Sequence, residues 1–131
     1  MTKIWFENDR IYILTDDGRT LWQSLLYYRR LREATDAQRA AYEVDGEGIH
    51  WEGLDEDVSF ESFEYDNPAP QGVSKFFLSH PELNDAALAK RLGIDKGVMR
   101  QYVMGVRKPT PDTERRIFDE VRKVASELVA W

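Results

Sequence analysis

The chain has 131 residues, of which 42% are hydrophobic and 12% aromatic; this suffices for one ordinary domain or two small ones and excludes wholesale disorder. Cysteine is absent, which excludes a disulfide framework and a thiolate metal site and predicts a reducing, cytoplasmic setting. A net charge of −6 argues against nucleic acid for the chain as a whole, but residues 1–70 carry 7 Lys and Arg against 16 Asp and Glu, whereas residues 71–131 carry 11 against 8.

From the first residue, MTKIWFENDR lacks the apolar run of a signal peptide, and no segment reaches the length of a membrane span, so no membrane partner is expected. Lys3–Glu7 and Arg10–Thr15 are β-prone and separated by Asn8-Asp9, a hairpin pattern. Asp16-Asp17-Gly18-Arg19 is a turn signal, and Thr20–Ser24 follows as a third strand. Two short helical stretches come next, 27–33 and 36–42, the second opened by a capping box of Thr35 with Gln38. Tyr42–Asp45 and Ile49–Trp51 read as short strand or turn segments around Gly46 and Gly48, and Leu54–Phe60 leads into a last extended segment. Strands, helices and strands again predict a small α+β domain with an antiparallel sheet over residues 1–66, with Trp5, Trp22 and Trp51 in its core.

Asp17-Gly18-Arg19 after a strand, Leu31 through Ala34-Thr35, Gln38-Arg39, and Gly48-Ile49-His50-Trp51 running into Leu54-Asp55-Glu56-Asp57 carry a resemblance. Over about residues 1–65 the chain resembles the bacterial domain of unknown function 2442. The resemblance implies an α+β fold, in some members joined to a C-terminal helix–turn–helix. It implies no activity, although members are commonly suspected of belonging to toxin–antitoxin-like pairs.

Asp66 to Gly72 holds two prolines and a glycine, so neither a helix nor a central strand continues through it, and residues 67–72 are read as a linker. Beyond it, residues 73–131 read as an all-α domain. Val73–Leu78 is its first helix, interrupted near Pro81. Leu88, Ala89 and Leu92 recur at helical spacing, with Asn84 or Asp85 available as N-cap. Gly93 then stands where the chain must leave the helix in a left-handed conformation. Asp95 caps a further helix whose apolar residues Met99, Tyr102 and Val103 face the preceding one. Thr110 and Pro111 form the N-cap and first position of a long last helix, with Ile117, Phe118, Val121, Val124, Ala125 and Leu128 as its apolar stripe. Trp131 beyond that stripe leaves fraying and a dimer interface as alternatives; a homodimer is the preferred reading.

The set Leu88-Ala89, Leu92-Gly93-Ile94, Met99, Tyr102 and Gly105 to Pro109 resembles the lambda-repressor/Cro (Xre-like) helix–turn–helix family over roughly residues 73–125. In that family, residues at the start and along the outer face of the second motif helix reach base edges in the major groove. The matching positions here are Lys96, Gly97, Arg100, Gln101 and Met104. Arg100 has the donors for guanine O6 and N7, and Gln101 those for adenine. Lys90, Arg91, Arg107 and Lys108 are the phosphate-contact candidates. Gly97 departs from the family, which offers a polar side chain there. Each cation can also be read as ordinary solvated helix exterior.

His50, Glu52, Asp55, Glu56, Asp57 and Glu61 suggest a divalent-metal site, but residues alternating along a strand point to opposite faces, so a solvated acidic surface is the better reading. Neither a nucleophile–base order nor a phosphate-cradling loop is present, so no enzyme and no cofactor is expected. The resulting expectation is a sequence-specific regulator of double-stranded DNA, antitoxin-like and autoregulatory. Its acidic N-terminal domain is free to bind a protein partner. The alternative is a protein–protein interaction module whose helix–turn–helix no longer binds DNA.

Overall fold

A computed structural model describes residues 1–131, which form two compact units, Met1–Ala69 and Pro70–Trp131. No helix is long and apolar enough to cross a membrane.

The first unit contains two three-stranded antiparallel sheets where the sequence pattern suggests one. In the first sheet, β1 (Lys3–Glu7), β2 (Arg10–Leu14) and β3 (Thr20–Ser24) run in order as a meander. Asn8 and Asp9 join β1 to β2 with φ of 51° and 61°. Two left-handed residues give a turn whose twist matches that of paired strands, and Asn and Asp tolerate this backbone better than most residues. Strand alternation sends Ile11 and Ile13 inward with Ile4, Phe6 and Leu21 packed beside them. Trp5, Tyr12 and Trp22 are register partners on the opposite face, so Trp5 and Trp22 lie outside the core that the sequence assigns them. Trp5 stacks on Tyr12 at 5.3 Å, and the Arg10 guanidinium covers Trp22 at 3.8 Å.

A 3-10 turn, Leu25–Tyr27, then leads into α1 (Arg29–Arg32) and α2 (Asp36–Ala40), both shorter than their sequence patterns. Thr35 restarts the chain with the expected capping box, accepting from the Gln38 N–H while Gln38 accepts from the Thr35 N–H. Arg39 donates to the carbonyls of Leu31 and Arg32, which satisfies the end of α1.

The second sheet pairs β4 (Glu43–Val44), β5 (Gly48–Trp51) and β6 (Glu56–Ser59). Trp51 is the third expected core tryptophan and is only 1% exposed, its indole N–H donating to the Arg39 carbonyl at 2.9 Å. Ile49, Val58, Leu25, Leu31 and Phe63 complete this core.

The second unit is helical: α3 (Gly72–Ser79), α4 (Asp85–Leu92), α5 (Lys96–Val103) and α6 (Pro111–Val129). Val73, Phe77, Leu88, Ala89, Met99, Tyr102, Val103 and Ile117 form its core. Helix α3 stops at Ser79, ahead of Pro81, and its Ser74 hydroxyl donates to the Val103 carbonyl at 2.7 Å inside the core. Thr110 and Pro111 open α6 as cap and first residue. Its apolar stripe is used only in part. Ile117 is buried, Phe118, Val121 and Val124 pack against the core, but Ala125 is exposed and Leu128 is 66% exposed because α6 outruns the helices it packs on.

Candidate nucleic-acid interface

Helices α4 and α5 are joined by three residues, and each joint has a local cause. Asn84, not Asp85, is the N-cap of α4, its side chain accepting from the Ala87 N–H at 3.0 Å. Such a cap contributes about 1 kcal/mol. Gly93 ends α4 with φ of 69°, the left-handed conformation a side chain disfavours. Asp95 then accepts from the N–H groups of Gly97 at 2.8 Å and Val98 at 3.2 Å, starting α5.

The periodicity of α5 divides it cleanly. Met99, Tyr102 and Val103 are buried, while Lys96, Gly97, Arg100 and Gln101 are exposed and Met104 is half-buried at the C-terminal end. Lys96 and Arg100 are one turn apart and therefore neighbours on one face, as are Gly97 and Gln101. The exit loop is fastened to the same helix: Val106 and Arg107 donate their backbone N–H groups to the Gln101 carbonyl at 3.0 and 3.2 Å. Gly105, with φ of 75°, permits that reversal. Arg107 lies 6.0 Å over the Tyr102 ring, and Lys108 follows it, exposed. Lys90 is exposed on α4.

Arg91, exposed on α4, is paired with α6. Its Nε donates to Glu120 at 2.7 Å and its Nη2 to Glu127 at 3.0 Å, both on α6, and these carboxylates raise its already high pKa further. The candidate cations on or beside α5 are thus Lys90, Lys96, Arg100, Arg107 and Lys108. Two contacts that the sequence reading did not foresee also shape this region. Arg116 of α6 donates to the Leu92 carbonyl at 2.8 Å, satisfying the end of α4. Asp85 of α4 accepts from Arg100 at 3.1 Å. Both connect different helices, and no local spacing signals them.

In the first unit, the acidic group around β5 resolves into one specific arrangement. His50 Nε2 lies 2.7 Å from Asp45 Oδ2, and Nδ1 lies 2.6 Å from Asp57 Oδ1. A neutral imidazole has one N–H, so only the imidazolium donates to both. Asp57 is the largest cause of a raised His50 pKa, with Asp45 adding to it. Asp45 is itself held by the backbone N–H groups of Glu47 and Gly48, which lower its pKa. The carboxylates sit on opposite sides of the ring and do not converge, and no group of three His, Asp or Glu side chains is placed to hold a metal ion. Burial raises the Glu56 carboxyl, which is half-buried.

Fold and surface together define a two-unit chain: an acidic α+β unit with a charge-clamped sheet, followed by a helical unit presenting a cationic, partly polar helix face. The chain belongs to the family described as protein of unknown function (DUF2442), whose model matches residues 1–69. That match ends where the first compact unit does, at Ala69. No curated protein and no solved structure matched the chain.

Proposed function

We propose that the chain is a cytoplasmic, sequence-specific regulator of double-stranded DNA. In this reading α4 and α5 form a helix–turn–helix of the lambda-repressor/Cro kind, and α5 enters the major groove. The carrying observation is the exposed face of α5, where Lys96, Arg100 and Gln101 serve no core role and stand beside the cations of the exit loop. Lys96, Arg100, Gln101 and Met104 meet base edges, and Gly97 brings the α5 backbone close to the duplex. Lys90, Arg107 and Lys108 neutralise phosphates. Arg91 contributes through α6 and not through a phosphate.

The acidic first unit is a partner-binding or pairing module, and an antitoxin-like autoregulator is the specific form we favour. Homodimerisation fits the exposed apolar end of α6, where Leu128, Val129 and Trp131 have no cover. A second reading, a protein–protein module without DNA affinity, is favoured by one observation: Gly97 offers no side chain at the centre of the face.

The test is fluorescence anisotropy of the full chain on a duplex from its own upstream region and on a scrambled duplex, across a salt series. The DNA reading expects the upstream duplex to bind at least about a thousand-fold tighter than the scrambled one. It also expects replacement of Lys96 and Arg100 together by Ala to abolish that difference. Equal, weak binding to both duplexes would select the protein-interaction reading.

A further inference from the structure

We propose that Asp85 is a positioning residue that orients Arg100 to read a guanine, an inference that rests on the DNA-binding reading above. The Asp85 carboxylate is fixed at both oxygens. Oδ1 accepts from the Ala86 backbone N–H at 2.9 Å, and Oδ2 accepts from Arg100 Nη1 at 3.1 Å. Asn84 already caps α4, so Asp85 is not needed as the cap. Its side chain is 22% exposed, against 61% for Arg100. The anchor is therefore sheltered and the guanidinium projects from it.

A free arginine on a helix surface samples many rotamers and meets phosphates and bases alike. A guanidinium is planar and carries five N–H donors in a fixed fork. Holding Nη1 against Asp85 restricts that plane and leaves the Nε–Nη2 edge, two parallel donors, without a partner in the chain. Guanine presents two parallel acceptors, O6 and N7, in the major groove. The negative charge of Asp85 further disfavours a phosphate at the same place, so this corner of the surface selects a base edge over the backbone. Arg107 and Lys108, with no carboxylate attached, remain the backbone contacts.

Selection from a randomised duplex library with the full-length wild type, D85A, D85N and R100A tests this. The wild type is expected to enrich a motif with at least one strong guanine column, and R100A to lose that column alone. D85A is expected to relax the same column by about tenfold in guanine preference while the other columns persist. Its binding to a scrambled duplex is expected to hold or rise. D85N keeps an oxygen acceptor and is expected to recover most of the preference. An unchanged guanine column in D85A would overturn the assignment, and so would a uniform weakening of every column, which is the signature of a structural role. Failure of D85N to recover the column would exclude positioning through the hydrogen bond. If the wild type enriches no motif, the DNA-binding reading itself fails, an outcome separate from the others.

Discussion

Arg91 Nε and Glu120 Oε1 meet at 2.7 Å, which ties a cation of α4 to α6. Glu127 holds the other end of the same guanidinium. Under the DNA-binding proposal this pairing sets Arg91 apart from Lys108, which has no such partner.

Replacing Arg91 with Ala should therefore lower the thermal midpoint slightly and leave the salt dependence of DNA binding unchanged. Replacing Lys108 with Ala should do the reverse, reducing the logarithmic salt slope by about 0.9 for one lost phosphate contact. Equal salt slopes for Lys108→Ala and wild type, with a reduced slope for Arg91→Ala, would reverse the assignment. Anisotropy titrations at several salt concentrations make the comparison.

Gly48 is required by close approach. A Cβ there would stand 2.3 Å from the Val58 carbonyl oxygen, a backbone atom that cannot swing aside. Gly48→Ala should destabilise the first unit by about 1–3 kcal/mol, the usual range for overpacking. Urea unfolding followed by Trp fluorescence measures this, since Trp51 lies in the same core. Unchanged stability would mean that β5 and β6 do not pair as described.

Met99, fully buried between the helices, anchors α5 from its inner side. Truncation to Ala removes packed volume and should cost about 2–5 kcal/mol, with the helical signal near 222 nm in circular dichroism, a wavelength set by the peptide group, reporting the shifted midpoint. A wild-type midpoint would contradict the packing of α5 on its neighbours.

The His50 clamp makes the first unit sensitive to pH. Its pKa is raised above the ordinary 6.5, chiefly by Asp57, so its stabilising contribution is complete below 6.5 and is lost as pH rises through the raised folded value. Asp45 has the opposite sign: its pKa is lowered from 3.8, and its contribution is present above that value and lost as pH falls through the lowered one. The stability difference between wild type and His50→Gln should thus be largest in mildly acidic solution and shrink toward alkaline pH. Urea midpoints across a pH series test this, and a difference that grows with pH would contradict the clamp.

Much of the local structure is legible in the residues. The β1–β2 turn at Asn8-Asp9, the Thr35–Gln38 box, the Gly93 exit and the Asp95 cap all depend on neighbours within four positions, where side-chain chemistry and backbone geometry are directly linked. Trp5 and Trp22 show where that stops. Their bulk suggests burial, but the period of two along β1 and β3 places them with Tyr12 on the other face of the sheet from Ile11 and Ile13. The splitting of the strands into two sheets, the exposed end of α6 at Leu128, and the pairs Arg91–Glu120 and Asp85–Arg100 depend on residues distant in sequence. Sequence pattern separates Arg91 from Arg100 by helix and expected role, but their partners, Glu120 and Glu127 on α6 and Asp85 on α4, emerge only in the fold.

The most direct measurement is amide chemical-shift mapping by NMR on the isotope-labelled full chain, titrated with a duplex from its own upstream region at physiological salt. Binding through α5 predicts perturbations concentrated at Lys96–Met104, at Arg107 and Lys108, and near Lys90, with the core strand Gly48–Trp51 undisturbed. Perturbations confined to Met1–Ala69, or none at saturating duplex, would contradict a DNA-binding role for α5.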